Sequence, residues 1–167
     1  MNEIEPKHIP DPVVAVLAAD GRPWPVIAAA AADSKLGAAT LILEVGDALA
    51  VTDHFVITNG ANSRQVKAIV DEVEHQITLV GGPKPLRVEG LDALDWVLLD
   101  YGEFVVHVFA EEARGYYSLE RLWKDCEQID WRSMVPEHLA PGARTAAAVS
   151  PEPATAELDP IVERATW

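Results

Sequence analysis

The chain has 167 residues, of which 49% are hydrophobic and 24% charged, a balance typical of a soluble globular protein with one core. Its 27 Asp and Glu outnumber its 13 Lys and Arg, and the net charge of −14 disfavours direct binding to DNA or another phosphate backbone. Cys126 is the one cysteine, which excludes an intramolecular disulfide and a cysteine-rich metal cage.

The hydropathy pattern indicates neither a membrane segment nor a secretion signal. No stretch approaches the roughly 18 consecutive apolar residues of a membrane span. The first residues are acidic where a signal peptide has a basic flank. We therefore expect a cytoplasmic protein that does not enter membranes. If it works near RNA, a basic protein is the expected contact, and the alternative is that the negative charge only keeps the chain soluble.

The prolines divide the chain into a central unit and two arms. Ten of the 12 prolines lie in residues 1–25 or 132–167, and only Pro83 and Pro85 lie between them. We expect a single α/β domain over about 26–131, an N-terminal extension before it, and a disordered tail rich in Pro and Ala after it. Within the extension, Val13 to Leu17 fit either a short strand or a helical turn.

The domain is predicted to begin with a helix and two strands. Pro25 suits the first turn of a helix that reaches about Leu36, with Gly37 as its stop. Residues 40–45 and 54–58 are rich in β-branched and aromatic side chains, which favours strands.

The clearest helix follows the second strand. Asn62 or Ser63 can cap its start. Apolar residues then recur at three- and four-residue steps from Val66 to Val80, which is the period of an amphipathic helix. The glycines at 81 and 82 end it.

Three strands and a last helix complete the predicted domain. A short strand is expected at 86–88, and residues 96–99 and 104–109 flank turn residues, which predicts an antiparallel hairpin. Ser118 can cap a helix from Leu119 to about residue 125 that buries Leu119, Leu122 and Trp123. Helices that alternate with strands in this order predict a mixed β-sheet with helices packed on it.

The side chains that could carry chemistry are scattered. The histidines lack the spacing of a metal site. His107 alternates with Val105 and Phe109 on one strand face, which is typical of a satisfied, half-buried histidine. Ser63 is better explained as a helix cap than as a nucleophile, and Cys126 as an incidental thiol.

The loop from Asn59 to Ser63 joins a strand to a helix and could present backbone amides to an anion. It lacks the Lys of a P-loop and the spacing of a dinucleotide-binding loop. The acids Asp71, Glu72 and Glu74 fall on an amphipathic helix, which indicates a solvated face rather than a magnesium site.

Acids and large apolar residues come together around the predicted hairpin. An aromatic anchor rimmed by acids is typical of a surface for a basic protein, whereas ordinary core packing explains a tryptophan equally well. The residues concerned are Glu89, Asp92, Asp95, Trp96, Asp100, Tyr101 and Glu103.

Four segments resemble the Iojap/RsfS family of ribosomal silencing factors. Residues 96–109 read Trp, aliphatic residues, Asp-Tyr-Gly, an acid and a Val-rich strand with a His, as in the family's signature hairpin. The match spans about residues 26–126 in the family's order and spacing. The other segments, similar to a strand, a helix opening and a closing helix of the family, are 52–57, 63–69 and 116–123.

This resemblance implies a nucleotidyltransferase-like fold without that superfamily's catalytic acids, no enzymatic activity and no cofactor. It implies binding to the large ribosomal subunit through the basic ribosomal protein uL14, which blocks joining with the small subunit and represses translation under starvation. Homodimers are common in the family. By position, the partner-binding residues are Trp96, Leu98, Asp100, Tyr101 and Gly102, and alternation places 96, 98 and 100 on one sheet face.

Two alternatives stay open from the sequence. One is a nucleotide-binding or nucleotidyltransferase-type enzyme, motivated by the loop from Asn59 to Ser63. The other is an acidic adaptor for a different basic protein in ribosome assembly, motivated by the net charge.

Overall fold

The structure, a computed structural model, describes residues 9–140. The start of the expected N-terminal extension and most of the expected disordered tail lie outside these residues. The described helices are α1 (Pro12–Ala19), α2 (Trp24–Ser34), α3 (Ser63–Leu79), α4 (Glu111–Tyr117) and α5 (Leu119–Leu122). The described strands are β1 (Ala38–Glu44), β2 (His54–Gly60), β3 (Arg87–Glu89), β4 (Trp96–Asp100), β5 (Phe104–Ala110) and β6 (Glu127–Ile129).

The strands form one six-stranded mixed sheet in the order β3-β4-β5-β2-β1-β6. The central pair, β2 and β5, is parallel, and the other neighbours are antiparallel. The predicted hairpin is present, since β4 pairs with β5 from Trp96 opposite Phe109 to Asp100 opposite Val105. The prediction of a mixed α/β domain is therefore confirmed.

Helix α1 belongs to this domain rather than to a separate extension. Asp11 caps it by accepting a hydrogen bond from the amide of Val13 at 2.9 Å, and Pro12 occupies its first turn. Val14 and Leu17 are fully buried in the same core as the sheet. The sequence pattern of this segment was too short to distinguish a helix from a strand, and tertiary packing selects the helix.

The end of α2 differs in detail from the prediction. Leu36, at φ 62°, takes the left-handed conformation that commonly follows a helix. Gly37 comes one residue later, where a Cβ would collide with the Thr58 side chain and the Ala32 carbonyl. Close approach of β2 to α2 therefore requires this glycine.

One face of the sheet is covered by α1, α2 and α3. The apolar stripe of α3 lies here, together with the alanine run of α2 and the inward side chains of the strands. Small side chains on α2 let its backbone approach the sheet closely. The largest fully buried members of this core include Phe104, Leu17, Ile27, Ile42, Ile69, Ile77 and Leu99.

The opposite face carries a second, smaller apolar cluster under α4 and α5. Leu119 is buried there and Trp123 packs against it, but Leu122 is 72% exposed, so its predicted burial is wrong. Ser118 does not cap α5 with its side chain, because it adopts φ 45° and its hydroxyl donates to the carbonyl of Gly115 at 2.7 Å. It is instead the left-handed residue that ends α4.

Strand β6 forms one edge of the sheet. Trp131 follows it and begins a 3-10 helix, Trp131–Met134. Trp131 is buried, and its indole N–H donates to the carbonyl of Thr40 at 3.1 Å. This compact unit ends at Val135. A second unit begins at Pro136, and its described residues contain the 3-10 helix Glu137–Leu139. No helix within residues 9–140 is long and apolar enough to cross a membrane.

Candidate functional site

Strand β4 divides its side chains between the two faces of the sheet. Val97 and Leu99 are fully buried against α3 and its neighbours. Trp96, Leu98 and Asp100 alternate with them on the other face and are only partly buried. We call these three residues the β4 strip. Its accessibility follows from the short helices α4 and α5, which cover this face less completely than the long helices cover the other.

Trp96 is packed on one side and open on another. Its ring stacks on Phe109 with centroids 4.9 Å apart and an interplanar angle of 27°. Tyr117, from the end of α4, contacts it with centroids 4.8 Å apart. The sequence left two expectations for Trp96, an exposed anchor or a core residue, and each describes part of the ring. Tyr117, which is 47% exposed, extends the aromatic surface beyond β4.

His107 lies on β5 directly opposite Leu98 of the β4 strip. It accepts a hydrogen bond at Nδ1 from Nε1 of Trp96, at 3.0 Å. The imidazole is 4% exposed, so it is fully rather than half buried, and Nε2 has no partner among the described residues. Burial lowers the pKa of His107 to about 4 because the charged form loses its hydration.

Asp100 holds the turn of the hairpin. Its Oδ1 accepts a hydrogen bond from the amide of Gly102 at 2.8 Å, and its Oδ2 accepts one from Nε of Arg87 at 3.2 Å. Gly102 has φ 88°, which favours glycine over residues with a Cβ. Asp100 and Gly102 therefore shape the loop that ends the β4 strip.

Tyr101 points to the opposite side of the sheet from the β4 strip. It is 7% exposed and stacks on Phe104 with centroids 4.5 Å apart and an interplanar angle of 5°. Its hydroxyl has no partner among the described residues. Burial, assisted by the charge of Glu74, raises the pKa of this phenol well above its usual range. The ring therefore supports the hairpin from within the core instead of adding to the exposed strip.

Arg114 anchors α4, and sequence reasoning overlooked it. The residue is 8% exposed, and its Nη1 donates to the Asn59 side chain at 2.8 Å and to the carbonyl of Ala38 at 3.0 Å. Its Nε also contacts Glu120 at 3.4 Å. Burial lowers its pKa, and Glu120 opposes this shift. These contacts fix the helix that brings Tyr117 to Trp96.

Exposed carboxylates border the β4 strip at both ends. They lie on β3, on the loop between β3 and β4, and on the turn between β4 and β5. Arg87 neutralises part of this charge through its ion pairs with Asp100 and Glu89. We call the following residues the acidic rim: Glu89, Asp92, Asp95 and Glu103.

The polar side chains around the start of α3 cap the helix by bonding to nearby backbone amides. Asn62 is the cap, and its side chain accepts from the amide of Gln65 at 2.9 Å. The side-chain oxygen of Gln65 in turn accepts a hydrogen bond from the amide of Ala61 at 2.7 Å, in the manner of a capping box. The polar residues of this loop therefore serve to cap the N-terminus of α3. Within residues 9–140, no group of three or more His, Cys, Asp or Glu side chains could hold a metal ion.

The fold and the β4 strip define a mixed α/β domain with a partly open aromatic surface bordered by carboxylates. In protein interfaces, aromatic side chains that the partner buries are commonly bordered by a polar rim. Negative charge on that rim favours a basic partner.

Comparison with known sequences assigns this domain to a family. A sequence model described as ribosomal silencing factor during starvation, RsfS, matches residues 24–156. The chain is 41% identical over 104 residues to the ribosomal silencing factor RsfS of Bacillus subtilis, covering 62% of this chain and 87% of that protein. It is 41% identical over 98 residues to the RsfS of Zymomonas mobilis, covering 59% and 71% respectively. The chain belongs to the RsfS family of ribosomal silencing factors.

A solved structure and a more distant relative agree with this assignment. A crystal structure of a Bacillus halodurans protein has a TM-score of 0.54 and 34% identity, and the match covers 62% of this chain and 92% of that chain. The mouse protein called mitochondrial assembly of ribosomal large subunit protein 1 is 33% identical over 85 residues, which is 49% of this chain and 37% of that protein.

Proposed function

We propose that this protein represses translation by binding the large ribosomal subunit through the basic ribosomal protein uL14 and blocking its joining with the small subunit. The observation that carries the proposal is the β4 strip, a partly open Trp-Leu-Asp row on the less completely covered face of the sheet. Family membership supports the ribosome as the target. The proposed role requires no catalysis and no cofactor.

Charge supports a basic protein as the direct contact. The net charge of −14 repels ribosomal RNA over most of the surface. The acidic rim borders the apolar strip at both ends, so a positively charged protein gains attraction beside an apolar centre. Trp96 and Leu98 form that centre, while Asp100 and Gly102 set the turn and Tyr101 supports it from the core.

Co-sedimentation with purified ribosomal subunits tests the target. The protein should sediment with large subunits and reduce their reassociation with small ones. Leu98→Lys places a positive charge in the strip and should weaken binding at least about tenfold. Leu36→Lys is the matched control, because Leu36 is 80% exposed at the end of α2, on the other side of the sheet. Equal binding by the two variants, both folded by circular dichroism, would remove the strip from the interface.

Direct contact with uL14 needs a separate measurement. Purified uL14 should bind the protein in the absence of RNA, and raising the salt concentration should weaken the complex because the rim is exposed. Binding to whole subunits without binding to uL14 would assign the contact to another component. The proposal also includes a cytoplasmic location and a homodimer in the free state, which light scattering after size exclusion tests.

A second function, an adaptor in large-subunit assembly, is favoured by the name of the mouse relative. The two functions differ in what accumulates when the protein is lost. Sucrose gradients of such cells should show normal large subunits if the protein silences ribosomes. Precursors of the large subunit should accumulate if the protein acts in assembly.

A further inference from the structure

The indole N–H of Trp96 is the one polar group of that ring, and it is already engaged within the chain. Nε1 donates to Nδ1 of His107 at 3.0 Å. The acceptor belongs to an imidazole that is 4% exposed, so a docking protein cannot replace it without opening the sheet. The partner of this surface therefore meets the carbon atoms of the indole.

His107 itself is held in a fixed orientation. It lies on β5, between Leu98 of β4 and Ile57 of β2. The ring of Phe55 stands edge-to-face with the imidazole, with centroids 4.6 Å apart. A ring confined by two neighbouring strands and a perpendicular aromatic has little freedom to turn its Nδ1 away from Trp96.

The hydrogen bond requires one protonation state of the imidazole. Nδ1 accepts a hydrogen bond only without a proton, so the neutral ring must carry its proton on Nε2. Burial, which lowers the pKa of His107 to about 4, keeps the ring neutral at physiological pH. The Nε2 atom has no partner among the described residues, so no described donor faces it to favour the tautomer with its proton on Nδ1.

We propose that His107 is a positioning residue for partner binding, which fixes the Trp96 indole so that its carbon edge faces the docking protein. This inference rests on the proposed function, since it assigns a role within that interface. Phe109 stacks on the ring and Tyr117 contacts it at a tilt, but these contacts leave the ring free to turn by 180° about its Cβ–Cγ bond, which keeps the stack and exchanges the two edges of the indole. The directional bond to His107 removes that freedom.

Two substitutions separate the hydrogen bond from the packing. His107→Phe keeps an aromatic ring beside Phe55 and removes the acceptor. His107→Asn places an amide oxygen close to the position of Nδ1 and restores an acceptor. We expect the Phe variant to bind large subunits about tenfold more weakly and the Asn variant to recover most of that loss. A purely structural role for His107 predicts the reverse order, because Phe preserves the packing better.

Nitrogen NMR on the whole protein, labelled with nitrogen-15, tests the bond without any ribosome. The His107 ring should show an unprotonated Nδ1 and a protonated Nε2 at neutral pH. The Trp96 indole N–H, assigned with Trp96→Phe, should exchange slowly with solvent and exchange faster in His107→Phe. A proton on Nδ1, or unchanged exchange in folded His107→Phe, overturns the inference. Absence of binding by the unsubstituted protein would instead refute the proposed function and leave these nitrogen signals interpretable.

Discussion

Replacing His107 should remove a defined part of the pH dependence of folding stability. Burial lowers its pKa from 6.5 to about 4 in the folded chain. Between these values the unfolded chain binds more protons than the folded chain, so stability rises with pH. The contribution of neutral His107 is therefore fully present above about pH 6.5 and is lost as the pH falls toward 4.

The size of the effect follows from the two pKa values. Linkage converts them into a loss of about 2 kcal/mol of unfolding free energy between about pH 7.5 and about pH 5. Below both values the loss approaches about 3 kcal/mol. These amounts are a large fraction of the stability of a domain of this size, which is typically about 5–15 kcal/mol.

Urea unfolding followed by circular dichroism measures this loss. The unsubstituted protein and His107→Phe are unfolded at the two pH values, and the change with pH is compared between them. Other titrating groups are common to both proteins and cancel in the comparison. We expect the unsubstituted protein to lose about 2 kcal/mol more than the variant. Parallel pH dependence in the two proteins would show that His107 is not held neutral by burial.

Three further substitutions test the packing of the domain, each by urea unfolding. Arg114→Met should cost about 2 kcal/mol because it leaves the buried side-chain oxygen of Asn59 without its donor, whereas exposed Arg121→Met should cost less than about 0.5 kcal/mol. Leu17→Ala should cost about 3 kcal/mol, and the exposed Leu122→Ala almost nothing. Gly90→Ala should cost at least about 2 kcal/mol, since φ is 91° and a Cβ would collide with the first carbonyl of β4.

A long periodic segment and a clear turn signal made part of the fold predictable. The apolar stripe of α3 repeats over 17 residues and was sufficient to predict that helix. The apolar runs on either side of the turn residues were sufficient to predict the hairpin of β4 and β5. Helix α4 and strand β6 were not predicted, since neither exceeds seven residues and neither has a repeating apolar period. The position of α4 depends on the contacts of the buried Arg114, and that of β6 on its pairing with β1, neither of which a periodicity argument can include.

The site was predictable only along a single strand. Alternation placed Trp96, Leu98 and Asp100 on one face, as the structure has them. The contact between Trp96 and Tyr117 joins residues from two separate elements, so no local pattern could indicate it. Tyr101 was predicted to bind the partner because it lies in the family's motif. It directly follows Asp100, however, and successive side chains point to opposite faces, so its ring lies in the core.

The register of strand β4 links the stability of the domain to the proposed partner binding. Its odd-numbered residues Val97 and Leu99 are fully buried, and its even-numbered residues form the β4 strip. A slip of one residue would bury a carboxylate and expose two aliphatic side chains, so the core itself selects the face on which Trp96 appears. The turn bond from Gly102 to Asp100 fixes the same register from the other end. Substitutions at 97 or 99 should therefore lower stability and binding together, whereas Leu98→Lys should separate the two.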